Sequence, residues 1–177
     1  MGLTGEQVQL IETTWAAARG LGFETVGILL FQNIFEAAPQ AAALFSFGRV
    51  EGFDVKADLA QNPALVKHAV SVVKTVDVAV GLLRDLGKLV PILKDLGTRH
   101  NGCALAQSKP LSRCFSTLTT VWLRAPADGV VADHYPIVGG AFLKTLKLGL
   151  GEAYTAEVET AYTTMWGVVA EVMQSEQ

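Results

Sequence analysis

Apolar residues recur at helical spacing along almost the whole chain, and this periodicity limits the possible folds more than any other feature. Positions three and four apart share one face of an α-helix. The clearest stripes are Val8, Ile11, Trp15 and Ala18; Val26, Leu30, Phe31, Ile34 and Phe35; and Leu65, Val72, Val76 and Ala79. Strands do not alternate with helices, which excludes a nucleotide-binding α/β sheet. The pattern therefore predicts an all-α fold.

Four predicted helices begin at a residue whose side chain can cap the free backbone N–H groups of the first turn. These residues are Thr4, Asn62, Asp133 and Thr155. Gln7 follows Thr4 by three positions, as in a capping box. Pro63 follows Asn62 at the first helical position, where no backbone donor is needed. Pro91 is expected to open the segment that leads to His100.

The composition excludes several classes of function. The net charge is −3 and 18% of the residues are charged, without a basic run, so we do not expect a nucleic-acid partner. No stretch of about 18 uninterrupted apolar residues occurs, so a membrane span is not expected. The first residues lack the pattern of a secretory signal, and two cysteines do not make a disulfide framework. We expect a single cytoplasmic domain, residues 1–177, with reduced thiols.

Two of the three histidines lie on apolar helical faces. His68 shares a face with Val72, and His100 shares a face with Leu96 on another predicted helix. Neutral imidazole is a good ligand for iron, and the Leu96 carbonyl is the natural partner for the second ring nitrogen of His100. Two such imidazoles could bind the two faces of an iron porphyrin. A buried histidine on an apolar helix is more often a hydrogen-bonded core residue, so the pair alone leaves ligation open.

The ordered set of residues resembles the globin family, and within it the neuroglobin-like, six-coordinate members. The resemblance covers about residues 4–101 and 130–173. It rests on Trp15, Pro39, Phe45, Asn62, Pro63, His68, Leu96 and His100, with the two histidines 32 positions apart. It implies a globin fold, with helices A–H around a haem pocket, His68 on helix E and His100 on helix F.

The resemblance also implies a site for haem b, which is iron protoporphyrin IX. The implied site residues are Phe31, Phe45, His68, Val72, Leu96 and His100. His100 would be the proximal iron ligand, and His68 a distal residue that can itself occupy the sixth position. Phe45 would stack on the porphyrin, Phe31 would line the distal pocket and Val72 would lie over the ring. Those three apolar residues would also be ordinary core in any helical bundle.

The implied function is reversible binding of oxygen, nitric oxide or carbon monoxide. One alternative is an enzyme that converts nitric oxide to nitrate or reduces nitrite, and this would require an external reductase. Another is electron transfer or redox signalling through a two-histidine iron. A fourth is a globin-shaped regulatory domain without haem, which need not retain both His68 and His100.

The chain departs from the globin pattern after His100. About 25 residues more than the usual connection between helices F and G intervene, and a loop of that length is uncommon in a compact domain. We expect residues 103–129 to form an inserted, irregular F–G loop, although residues 116–123 have the composition of a strand. It could be a functional appendage, redox-linked through Cys103 and Cys114, a tolerated surface loop, or an intervening sequence read through in translation. The last two explanations are favoured over the first.

Overall fold

The computed structural model describes residues 2–45, 59–105 and 132–175, and every regular element within these ranges is a helix. The α-helices are α1 (Gly5–Gly20), α2 (Phe23–Ala37), α3 (Pro63–Gly81), α4 (Leu86–Leu105), α5 (His134–Leu150) and α6 (Ala156–Gln174). Two 3-10 helices accompany them, Pro39–Leu44 and Gly151–Ala153. The all-α prediction is confirmed. No helix in the described ranges has the length and apolar character required to cross a membrane.

Three of the predicted helix caps are present. The Thr4 hydroxyl accepts a hydrogen bond from the Gln7 backbone at 3.2 Å, and the Gln7 side chain accepts one from the Thr4 backbone at 3.0 Å. The Asn62 side chain accepts two backbone N–H groups of the first turn of α3, at 3.1 and 3.2 Å. Thr155 caps α6 with a longer bond of 3.4 Å. Short polar side chains placed before apolar runs therefore fixed these helix starts.

The prediction that Pro91 opens its helix was wrong, because α4 begins at Leu86 and contains Pro91. The earlier start is fixed by Asp85. Its side chain accepts the Lys88 N–H at 3.2 Å, and its carbonyl accepts both the Lys88 and the Leu89 N–H at 3.0 Å. A proline inside a helix removes one backbone hydrogen bond, and burial of Leu89, which is 1% exposed, offsets that loss.

The predicted cap at Asp133 does not form. Asp133 immediately precedes α5, but its side chain accepts no capping hydrogen bond there. The Asp133 backbone is already helical, with φ −67° and ψ −14°. A capping residue usually has an extended backbone, which lets its side chain accept a hydrogen bond from the first turn of the helix. The residue type was suitable and the backbone conformation was not.

The predicted insertion, residues 103–129, lies mostly outside the described residues. The helix α4 continues to Leu105, so the first three residues of that segment are helical. The rest of it, with the predicted strand at 116–123 and Cys114, falls outside the described ranges. The side chain of Cys103 is likewise not described.

The helix α2 is the centre of the packing and contacts both α3 and α5 extensively, while α4 packs against α6. Gly27 of α2 lies against Ala69 of α3. A Cβ atom at Gly27 would be 2.8 Å from the Ala69 carbonyl carbon, closer than real Cβ contacts. The absence of a side chain lets the two backbones meet, directly beside His68.

Hydrogen bonds join α1 to α3 and to the turn that follows it. The Trp15 indole donates to the Asp77 carboxylate at 2.8 Å. The Arg84 guanidinium donates two hydrogen bonds to the Glu12 carboxylate, at 2.8 and 2.7 Å. Within the described residues, every buried side-chain nitrogen or oxygen has a partner. These bonds hold α3, and with it His68, against the rest of the bundle.

The caps of α3 and α5 give a direct test of this account. We expect Asn62→Ala to lower the free energy of unfolding by about 1 kcal/mol, because two backbone donors lose their acceptor. Asp133→Ala is the matched control and should change it by less than about 0.5 kcal/mol, since no capping bond is lost. Urea denaturation followed by circular dichroism measures both. Equal losses in the two variants would contradict the assignment of the caps.

Candidate functional site

The imidazole of His100 is attached to the backbone of its own helix, α4. Its Nδ1 is 2.7 Å from the carbonyl oxygen of Leu96, one turn earlier. A carbonyl oxygen can only accept a hydrogen bond, so Nδ1 carries the proton and donates. In the neutral ring the lone pair then lies on Nε2, on the opposite side of the imidazole. The hydrogen bond suggested by the sequence is therefore present, and it fixes both tautomer and ring orientation.

His68 lies on α3 and packs against phenylalanine rings from other segments. The ring centroids of Phe31, on α2, and Phe45, just after the first 3-10 helix, are each 5.3 Å from that of His68. Both contacts are edge-to-face, with interplanar angles of 71° and 61°. Phe31 and Phe45 also contact each other, with centroids 5.8 Å apart. Such tilted arrangements are favourable for aromatic rings, so the three rings form one packed cluster.

Phe35 is a fourth ring of this cluster, and the sequence pattern predicted it only as core. Its centroid is 5.7 Å from that of Phe31 and 5.9 Å from that of Phe45. The side chain is 2% exposed. Phe35 follows Phe31 by one helical turn, and that spacing was the available signal. Its role is to support the two rings that touch His68.

Burial lowers the pKa of the His68 imidazole from its usual 6.5 to about 4, with a smaller contribution from the charge of His100. Burial penalises the charged form of a base. The charge of His100, which belongs to a different helix, acts in the same direction. His68 is therefore neutral at pH 7, which is the form that can coordinate a metal.

The other predicted site residues differ in burial. Phe31 is buried, whereas Phe45, Val72 and Leu96 are partly buried and pack against the main core. Val72 follows His68 by one turn and shares its helical face. The structure thus brings Phe31 and Phe45 onto His68.

The arrangement supplies two nitrogen donors within apolar walls. Imidazole suits iron, copper, zinc and nickel, whereas magnesium and calcium prefer oxygen ligands. Two imidazoles from opposite sides are the axial ligands of a metal whose equatorial ligands belong to a macrocycle. The phenylalanine rings limit the access of water, and the low local dielectric strengthens any polar contact made inside. The chemistry favoured by this site is coordination of a macrocyclic metal cofactor.

Comparison with known proteins gives one matching family and several relatives of similar length. The model of the family described as globin matches residues 28–119, which is more than half of the chain. The neuroglobin of Tetraodon nigroviridis is 28% identical, covering 97% of this chain and 90% of that protein. The anaerobic nitrite reductase AHB2 of Arabidopsis thaliana is 30% identical, covering 99% and 94%.

A solved structure shows the same fold. It is described as a hexacoordinated haem protein from an anhydrobiotic tardigrade, at pH 4, and it matches with a TM-score of 0.75 over 98% of this chain and 94% of that one. The sequence identity is 17%, so this likeness concerns the arrangement of the helices and not the identity of the ligands.

The lowered pKa of His68 predicts a pH-dependent stability of the cofactor-free protein. Between pH 6.5 and 4 the unfolded chain binds a proton at His68 that the folded chain does not. The free energy of unfolding should therefore fall as the pH is lowered through this range, by up to about 3 kcal/mol from this group. Urea denaturation of the cofactor-free protein at intervals between pH 4.5 and 7.5 measures the slope.

The matched control for this prediction is His68→Leu, which removes the titrating group and keeps an apolar side chain. Carboxylates such as Glu12, whose pKa is lowered by its hydrogen bond from Arg84, titrate equally in both proteins. The difference between the two slopes therefore isolates His68. Identical slopes for wild type and His68→Leu would show that His68 is not held neutral by burial.

Proposed function

Because the chain belongs to the globin family, we propose that it is a haem protein that reversibly binds oxygen, nitric oxide or carbon monoxide. The observation that carries the proposal is the His100 hydrogen bond to Leu96, which orients a ring nitrogen lone pair, together with the buried, neutral imidazole of His68 on a second helix. The globin fold predicted from the sequence is confirmed by the family match and by the structural likeness.

The residues of the site fit haem b. His100 presents a nitrogen whose tautomer is fixed by the Leu96 carbonyl, as expected for an axial ligand with a hydrogen-bonded outer shell. His68 is neutral and comes from a different helix, as a second axial ligand requires. The apolar rings of Phe31 and Phe45 suit the face of a porphyrin. When bound, haem supplies an iron that binds diatomic gases and exchanges single electrons.

His100 would act as the proximal ligand. Its Nδ1–H donates to Leu96 at 2.7 Å, and this bond increases the electron density at Nε2 and prevents rotation of the ring. Both effects strengthen a bond from Nε2 to iron. Loss of this side chain should therefore remove the main attachment of the cofactor.

His68 would act on the distal side in one of two ways. Its neutral ring can donate a hydrogen bond to a gas in the pocket, or it can coordinate the iron itself. In the second case the apparent affinity for a gas is reduced by the fraction of time that the sixth position is open. Phe31 and Phe45 pack against the ring, which supports a defined distal position.

Coordination by both histidines is the form of the proposal that the relatives support best. Several relatives are neuroglobins, and the solved structure with the same fold is described as hexacoordinated. We propose a six-coordinate iron here as well, with His100 and His68 as the two protein ligands. The alternative is a regulatory domain without haem. The presence of both His68 and His100 argues against it.

Nitrite reduction is a second candidate, favoured by two relatives described as anaerobic nitrite reductases, one at 30% and one at 29% identity. Reduction of nitrite to nitric oxide consumes one electron and two protons and releases water, so an external electron donor would be required. An anaerobic assay with dithionite-reduced protein and nitrite tests this candidate. Production of nitric oxide above that of free haem would support it, and equal production would exclude it.

The first test of the proposal is the visible spectrum of the protein purified with haem supplied. We expect a low-spin spectrum in both the oxidised and the reduced state, because two imidazoles give a strong axial field. Carbon monoxide should displace His68 from the reduced protein and change the spectrum. A five-coordinate, high-spin reduced spectrum would remove the two-histidine claim, and failure to take up haem would remove the proposal.

The two histidines should differ when each is replaced. We expect His100→Ala to increase the rate of haem loss to an excess of a haem-binding acceptor by more than about tenfold, since the proximal bond is lost. His68→Leu should retain haem and bind carbon monoxide more tightly, because the competing ligand is removed. His134→Ala, at the start of α5, is the control and should behave as wild type. Equal haem loss from His100→Ala and wild type would overturn the proximal assignment.

A further inference from the structure

The helices α4 and α6 meet backbone to backbone at Gly97, which is buried. A Cβ atom built at Gly97 would be 3.1 Å from both the Cα and the carbonyl carbon of Met173, and closer still to its carbonyl oxygen. Ordinary contacts of a Cβ atom begin at 3.4 Å. The obstructing atoms belong to the main chain and cannot rotate aside as the end of a side chain can. Any larger residue at position 97 must therefore separate the two helices.

Gly97 lies on α4 between the two residues that form the proximal side of the site. It follows Leu96 directly and precedes His100 by three positions, less than one helical turn. Leu89 and Leu93 precede it at intervals of four and are 1% and 2% exposed, so this face of α4 is buried in the core. The bond from His100 to Leu96 ties the imidazole to the same turn. Movement of the backbone at Gly97 therefore moves the His100 ring.

We propose that Gly97 is a positioning residue, and that its backbone contact with Met173 sets the place of His100 relative to His68. This inference rests on the proposed function, in which the two imidazoles hold one iron. The role of the glycine is to let α6 support α4 at the smallest possible separation. Gly97 itself touches neither the cofactor nor the gas.

The size of the displacement decides whether such a contact can affect coordination. Bonds from protein ligands to a metal tolerate a change of about 0.2 Å. An alanine at position 97 needs a displacement of 0.3 Å or more to bring the Met173 carbon atoms to 3.4 Å. That displacement is larger than the tolerance, so it is large enough to alter coordination when the His100 ring moves with the helix.

Two other glycines provide matched controls. Gly139 of α5 is similarly confined, since a Cβ atom there would be 2.5 Å from the Trp166 ring carbon Cδ1, but neither residue belongs to a helix that carries a site histidine. Gly87 lies on α4 itself, and the nearest atom to its Cβ position is an Asp85 carboxylate oxygen at 3.4 Å. Gly139→Ala thus imposes an overlap on a tryptophan side chain, away from the backbone contact of α4 with Met173, and Gly87→Ala adds a methyl group to α4 without an overlap.

The test measures the ratio of six-coordinate to five-coordinate reduced protein from the visible spectrum of the full chain loaded with haem. We expect Gly97→Ala to lower this ratio by about tenfold, a change of the size that overpacking of a tight contact produces. Gly139→Ala and Gly87→Ala should keep the wild-type ratio, even where Gly139→Ala unfolds at lower denaturant concentration. Circular dichroism of each variant confirms that it is folded.

Three results would overturn the inference. The first is a wild-type ratio in Gly97→Ala, and the second is an equal decrease in Gly139→Ala, which would indicate general loosening of the bundle. The third is a Gly97→Ala chain that does not fold while Gly139→Ala does, since the contact would then serve folding alone. Wild-type protein that takes up no haem would instead refute the proposed function, and the two failures are therefore distinguishable.

A second measurement tests the inference in protein that lacks His68, the proposed sixth ligand. In the His68→Leu background the reduced iron keeps His100 as its only protein ligand, and the iron–histidine stretching band in resonance Raman spectra reports on that bond directly. Gly97→Ala in this background should shift the band, whereas Gly139→Ala should not. An unshifted band with Gly97→Ala would show that the contact with Met173 does not set the geometry of His100.

Discussion

A hydrogen bond from the His100 imidazole to the Leu96 carbonyl, 2.7 Å long, determines what this site can do. It fixes the proton on Nδ1, and therefore the lone pair on Nε2. It also ties the ring to the backbone of α4, so the position of the donor nitrogen follows the position of the helix. In the proposed function the packing of α4 against α6 is part of the chemistry, because any movement of the helix is transmitted to His100, the proposed ligand.

The two histidines are held by different forces. The His100 ring is oriented by a polar bond within its own helix. The His68 ring is packed edge-to-face against Phe31 and Phe45, which come from two other segments. A hydrogen bond has one preferred direction, whereas apolar packing permits small rotations at low cost. We infer that His100 is suited to a permanent bond and His68 to one that an incoming gas displaces.

The burial that surrounds His68 has a cost in stability. In the folded state the pKa of His68 is about 4, so the imidazole stays neutral. In the unfolded chain the same imidazole is protonated at a higher pH. The cost appears only below pH 6.5, so at neutral pH the chain keeps an apolar pocket without loss. Neutral imidazole is also the only form that coordinates a metal. The same desolvation therefore serves the proposed function and limits the acid stability of the protein.

The sequence by itself determined the all-α fold, the caps at Thr4, Asn62 and Thr155, and the family to which the chain belongs. The fold and the caps follow from local patterns, since helical periodicity and capping depend on residues within four positions of one another. The family follows from an ordered set of residues in which His68 and His100 are 32 positions apart. Tertiary structure decided the rest. The continuation of α4 through Pro91 depends on the burial of Leu89, and the close approach at Gly97 depends on Met173, which is distant in sequence. Contacts between remote residues leave no periodic signal in a single chain, so only the packed helices show which glycine and which ring support a histidine.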